Sequence, residues 1–249
     1  MQNNVYIAAI AATVFSSTLV LHPVTAEAQS TNQSTDELSS APVIITATRT
    51  AEHVDQVLAT SMLITREEIL ASQGLSVVDM LRNKTGIDIA TNGGPGQTTS
   101  VFIRGAESDH TLIMVDGVKI NPDTIGVAAI QNIPLNMIER IEVIMGPRST
   151  LYGSDALGGV IQIFTRESET AEAGWRFGSY SSNELSGSYH SKSGSMRIGI
   201  YLSASRSDVF PARQEGSEDS AYENDSFYLK IGKSIANTEL DFQYLGSRG

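Results

Sequence analysis

Five short motifs decide how this chain is read, and all lie within residues 91–166: Asn92-Gly93-Gly94-Pro95-Gly96-Gln97, then Phe102-Ile103-Arg104-Gly105, then Val115-Asp116-Gly117-Val118. After these come Ile138-Glu139-Arg140-Ile141-Glu142-Val143 and Gly146-Pro147-Arg148-Ser149-Thr150-Leu151-Tyr152-Gly153-Ser154-Asp155-Ala156. Short β-branched runs alternate with Gly, Pro, Asn and Asp, a pattern of strands joined by tight turns. Ile87-Asp88-Ile89-Ala90 leads into the Gly-rich loop and Val101-Phe102-Ile103-Arg104 leads out, so the loop is a hairpin connection. A phosphate cradle needs Gly-Lys-Ser/Thr opening a helix, which is missing. Leu112-Ile113-Met114-Val115 reads as a buried strand. His110 follows Ser108 and Asp109, but triads are assembled in space from distant residues, and no Gly-x-Ser-x-Gly elbow is present.

Upstream, Ser61 to Ile64 reads as a short strand. Thr65 and Glu68 are spaced as a capping box, and Ser76 with Asp79 opens a second helix. Downstream, the period changes to two. Ile198, Ile200, Leu202 and Ala204 share one face, as do Phe227, Leu229 and Ile231, and again Leu240, Phe242 and Tyr244. Segments of about ten residues, apolar on one side and polar on the other, fit a transmembrane β-barrel. A soluble β-sandwich gives the same signal strand by strand.

In order and spacing these motifs resemble the plug domain of TonB-dependent outer-membrane receptors, most closely the cobalamin receptors. The resemblance is dense over residues 42–166. It implies an α+β plug, a small mixed sheet with short helices, followed by the first strands of a transmembrane antiparallel β-barrel. The implied division is a signal peptide (1–28), a flexible lead (29–40), a TonB-box-like segment (41–49), the plug (50–166) and barrel strands (167–249).

The ends of the chain fit that division. Residues 5–20 are mostly apolar, and Ala26-Glu27-Ala28 is a small-residue cleavage pattern; no Lys or Arg precedes the apolar run, and an N-terminal membrane anchor is the competing reading. Either way the chain is exported, with the outer membrane of a Gram-negative cell as the expected destination. The polar lead cannot bury enough surface to order itself. Pro42-Val43-Ile44-Ile45-Thr46-Ala47 then offers a β-branched run suited to strand addition on a partner's sheet edge, with Val43, Ile45 and Ala47 setting register. It could equally be the first strand of the plug. The resemblance places here the TonB box, which a TonB-type transducer seizes from the periplasm.

The resemblance also implies ligand contacts at Asn92, Gln97, Thr98 and Thr99 of the first loop, whose neutral amides and hydroxyls can satisfy a corrin's peripheral amides. A second loop supplies Asp123, Thr124 and Ile125, and departs from the cobalamin-receptor pattern. Polar residues merely facing water are the plainer reading of both loops. The charged face of residues 138–144 is expected to meet a barrel wall, with Arg104, Glu139, Arg140, Glu142 and Arg148 pairing across the plug–barrel interface; ordinary solvated charge is the alternative. Residues 207–226 read as a long acidic loop. Its hard oxygen ligands suit calcium, and the resemblance puts Asp208, Glu223 and Asp225 where calcium ligands are expected. Acidic runs more often stay solvated.

The bulk numbers exclude little. A formal charge of −11 over 249 residues argues against a nucleic-acid partner, and the lack of cysteine rules out disulfides and thiolate metal sites. No catalytic constellation is present, so the expectation is a monomeric receptor for cobalamin, with a ferric-siderophore or haem receptor and a soluble periplasmic interaction module as rivals. A plugged barrel of 22 strands needs several hundred residues beyond the plug, so the chain is expected to be a fragment.

Overall fold

The computed structural model describes residues 43–48, 52–53, 57–72, 74, 76–93, 96–208, 221–235 and 238–248. The expected signal peptide, the flexible lead, Pro42 and most of the acidic loop lie outside the described residues.

The N-terminal body is built on a five-stranded mixed sheet in the order β3 (Ser61–Ile64), β8 (Ile138–Met145), β9 (Gly159–Thr165), β6 (Thr111–Val115), β7 (Val118–Lys119). Only β6 and β9 run parallel. Every residue of β6 is buried, as expected for a strand covered on both faces. The β6–β7 hairpin turns on Asp116 and Gly117, with φ of 45° and 84°; a two-residue turn with both φ positive follows the strand twist, and Gly tolerates it freely. A separate hairpin, β4 (Ile87–Thr91) with β5 (Thr99–Ile103), carries the Gly-rich loop. Near the start of the described chain, β1 (Val43–Ile44) pairs antiparallel with β2 (Glu52–His53).

Two short helices flank the sheet, α1 (Arg66–Ala71) and α2 (Val77–Arg82), and a third, α3 (Ser149–Tyr152), follows β8. Thr65 caps α1 by accepting the Glu68 N–H, but the full reciprocal capping box forms at the second helix, between Ser76 and Asp79. Ile69, Val77, Val78 and Leu81 turn inward from α1 and α2 and join Ile113, Ile141, Val143 and Ile161 in one core.

The C-terminal body is an antiparallel sheet of five strands in chain order: β10 (Ala171–Phe177), β11 (Asn183–Ser193), β12 (Met196–Ser207), β13 (Tyr222–Ile235) and β14 (Thr238–Arg248). Strand β13 begins at Tyr222, inside the stretch expected to be loop. Its alternation explains why: Asn224, Ser226 and Tyr228 are buried against the N-terminal body, so pairing with β12 continues that far. Tyr201 and Tyr228, almost fully buried, enter the core of the first body. On the opposite face, Trp175, Phe177, Leu185, Leu202, Leu240, Phe242 and Tyr244 are exposed. Among the described residues no helix is long and apolar enough to cross a membrane; the apolar surface is carried by strands.

Candidate functional site

The β4–β5 hairpin presents Asn92, Gln97 and Thr98 to solvent. Its neck is closed by the Asn92 N–H donating to the Thr98 carbonyl at 3.2 Å. Thr99 differs from its neighbours: it is buried, and its hydroxyl donates back to the Gln97 carbonyl at 3.1 Å. It shapes the loop and is not on offer to a ligand, a correction to its expected role that follows from the inward register of a strand's first residue. Gly96, at φ +79°, lies against the Tyr222 ring; a Cβ there would stand 2.3 Å from the ring. The hairpin thus rests on the start of β13.

The second loop is held from beneath by buried Asn121, which accepts the Ile113 N–H at 2.7 Å and donates to the carbonyls of Thr111 and Gly126. Asp123, Thr124 and Ile125 stand exposed on it. Lys119 links Asp123 at 2.7 Å to Asp155 at 2.6 Å, fastening the loop to the turn after α3. Hydrogen bonding to Asp123 and Asp155 pushes the Lys119 ammonium up, and the same bond from Lys119 holds the Asp155 carboxyl down.

Among the described residues, the five charges expected to pair across the interface make other contacts. Arg140 pairs with Glu142 inside the first body at 2.9 Å and stacks on Phe164. Arg104 donates to the Thr60 hydroxyl, and Arg148 to the Pro147 carbonyl. Glu139 stands partly exposed, near enough to Arg66 and Arg166 to act on their charges. Glu142 is fully buried, contrary to its expected place on a wall-facing surface. The reason is local: the segment of residues 43–47 folds over that end of β8. One Glu142 carboxylate oxygen accepts the Ile45 N–H at 2.9 Å, the Thr46 N–H at 2.9 Å and the Thr46 hydroxyl at 2.6 Å. Ile44 and Ala47 pack with Ile144, and the Tyr152 hydroxyl donates to the Thr46 carbonyl. Only Val43 and Ile45 keep partial exposure there. The segment is docked, so it cannot add to another sheet without leaving this seat.

The real cross-links between the bodies escaped the sequence reading. Asp116 accepts the Thr165 N–H and hydroxyl from its own sheet, then the Tyr228 hydroxyl at 2.7 Å and the Lys230 ammonium at 3.1 Å from β13. Gln243 of β14 donates to the Asp116 carbonyl, and Lys230 also pairs with Glu167. Higher on the same strand, Asn224 and Ser226 donate to the Asn132 carbonyl, while Asn136 donates to Glu184 and Ser186 of β11. The one available signal was the polar complement of the Phe227, Leu229, Ile231 face.

Of the acidic residues expected to hold calcium, Asp208 follows the end of β12, where its N–H donates to the Tyr180 carbonyl, while Glu223 and Asp225 stand two apart on the exposed face of β13. Glu223 pairs with Arg206 across the strands at 2.7 Å. No group of three or more His, Cys, Asp or Glu side chains that could hold a metal occurs among the described residues.

A small mixed-sheet body bound by polar links to the inner face of a meander with an apolar exterior is the arrangement of a plug against a barrel wall. Residues 53–160 match the family model of the TonB-dependent receptor plug domain. Over 208 residues the chain is 38% identical to the vitamin B12 transporter BtuB of Photobacterium profundum, covering 81% of this chain and 34% of that protein. Among solved structures, the ferric enterobactin receptor PfeA of Pseudomonas aeruginosa superposes with a TM-score of 0.58 at 20% identity, covering 76% of this chain and 33% of that one. The ferric yersiniabactin receptor FyuA of Yersinia pestis gives 0.57 at 20% identity, with 76% and 31% covered. The chain carries the plug domain of the TonB-dependent receptors, followed by strands arranged as in their barrels. It spans about a third of the length of these relatives.

Proposed function

We propose that this chain is the N-terminal part of an outer-membrane receptor that imports cobalamin on energy drawn from the inner membrane. The observation that supports cobalamin is the 38% identity to a vitamin B12 transporter across both plug and barrel strands. The ferric-siderophore receptors share the fold at about half that identity, which says nothing of the ligand. In this reading the exposed Asn92, Gln97 and Thr98, with Asp123, Thr124 and Ile125 of the second loop, meet the ligand. Uncharged donors and acceptors match the amides around a corrin. Residues 42–47 are the coupling segment for a periplasmic TonB-type partner. Export depends on a signal peptide cleaved near Ala28, and the product works as a monomeric receptor rather than an enzyme.

Equilibrium binding of labelled cyanocobalamin to outer membranes carrying the receptor tests the ligand. Saturable binding that Asn92→Ala and Gln97→Ala weaken supports the reading. Saturable binding of a ferric siderophore or haem in its place overturns it. Fractionation tests the location: release from the periplasm without detergent would mean a soluble module.

A further inference from the structure

We infer that Glu142 is the positioning residue that keeps the coupling segment docked, so that release of residues 43–47 means stripping this one carboxylate. The inference rests on the proposed role of that segment and assigns what holds it. Three donors from two adjacent residues, the Ile45 N–H, the Thr46 N–H and the Thr46 hydroxyl, converge on a single oxygen of Glu142. The other oxygen is held by the Arg140 Nε at 2.9 Å. Arg140 is itself fixed over the Phe164 ring, 3.7 Å from its centroid. The carboxylate is therefore aimed from behind and filled in front, with no exposure of its own.

Hydrogen bonds to an ionised acceptor are about twice as strong as neutral ones, and they strengthen out of water. The two backbone donors it occupies come from adjacent residues, and in an extended strand the N–H groups of adjacent residues face opposite edges. Strand addition on either edge would therefore need one of the two N–H groups that Glu142 holds. By contrast the paired strand β1–β2 is only two residues long, and Val43 and Ile45 remain partly exposed. Beside the Tyr152 hydroxyl on the Thr46 carbonyl and the packing of Ile44 and Ala47 on Ile144, Glu142 gathers three polar contacts of the segment at one oxygen, and these three break as a unit.

The chain has no cysteine, so a single introduced thiol reports release. Ala47→Cys places it at a position 3% exposed in the docked state; its rate of reaction with a maleimide, in the full chain, measures how often the segment leaves. Ala128→Cys, 2% exposed and far along the chain, reports general loosening of the plug. Glu142→Ala is expected to speed labelling at position 47 on the order of tenfold or more, the scale of losing charge-assisted bonds, while labelling at 128 stays unchanged. Glu142→Gln, which keeps one carbonyl acceptor, falls between. Thr46→Val removes only the hydroxyl and gives a rise of roughly a few fold; added to Glu142→Ala it gives nothing further, because the two share one interaction. Equal acceleration at 47 and 128, or full additivity, would overturn the inference by showing that Glu142 only stabilises the plug. Capture by the purified periplasmic domain of a TonB-type protein separates this from the underlying reading. Faster release without capture leaves Glu142 as the docking residue and removes the coupling role. Capture equally strong with and without Glu142 overturns the inference itself.

Discussion

At the scale of single residues, Asp116 carries more than its place in a turn suggests. It receives Thr165 from its own body and Tyr228 and Lys230 from the barrel strands, in a setting where both charged side chains are largely hidden. Removing one partner of such a pair strands the other. Asp116→Ala is therefore expected to cost about 3 kcal/mol in unfolding of the detergent-held chain. Glu167→Ala, at the exposed side of the same lysine, should cost below about 1 kcal/mol. Equal losses would mean that the plug is not anchored at Asp116. Asp155 gives a pH dependence with a definite sign. Its carboxyl is held down by the hydrogen bond from Lys119, so the folded state releases the proton more readily than the unfolded chain. The resulting stability is present above the ordinary carboxylate pKa of about 3.9 and disappears as pH falls through the lower folded value. Melting curves of the parent and Asp155→Asn should differ at neutral pH and converge in acid; a gap that widens in acid would contradict this.

At the scale of elements, the β4–β5 hairpin depends on glycine where it meets β13. Gly96 combines a left-handed backbone with a ring against its Cα. Gly96→Ala is expected to cost about 1–2 kcal/mol and to raise hydrogen exchange across both strands of the hairpin. Tyr222→Ala should relieve the part due to the clash and leave the part due to φ. If it relieves nothing, the hairpin does not rest on β13. This scale is also where the sequence was most informative. Period-two alternation located the outward faces of β12, β13 and β14 because each strand bears it within itself. The burial of β6 was plain from an unbroken apolar run. Glu142 was not legible: Ile-Glu-Arg-Ile-Glu-Val alternates as a half-exposed strand does, and what buries its charge is a segment nearly a hundred residues earlier. Asp116 was opaque for the same reason, its partners Tyr228, Lys230 and Gln243 lying more than a hundred residues later. Thr99 is expected beside Thr98 from the resemblance alone, and register separates the two: successive side chains of a strand change face, and Thr99 turns inward. Local pattern fixes which face of an element is apolar; it does not say which distant group will cover it.

At the scale of the whole molecule, the C-terminal sheet has two unlike faces, and the difference predicts its surroundings. The inner face sends Asn224, Ser226, Tyr228 and Lys230 to polar partners on the plug. The outer face leaves Trp175, Phe177, Leu202 and Phe242 each more than half exposed, a spread of large apolar groups that a monomer in water would not leave bare. A lipid bilayer is the solvent that suits it. Lipid also imposes a depth profile that a protein partner would not. Leu202 lies near the middle of β12, whereas Leu240 is close to the β13–β14 turn. For the chain inserted in vesicles, Leu202→Arg should cost about 2–4 kcal/mol and Leu240→Arg about 0–1 kcal/mol, since the cost of a cation peaks at the bilayer midplane. Both leucines are about equally exposed, at 53% and 56%, so exposure alone predicts no such difference. A steep gradient between the two sites places the outer face in a membrane. Equal penalties would place it against a protein surface, and the barrel reading of these strands would fall with them.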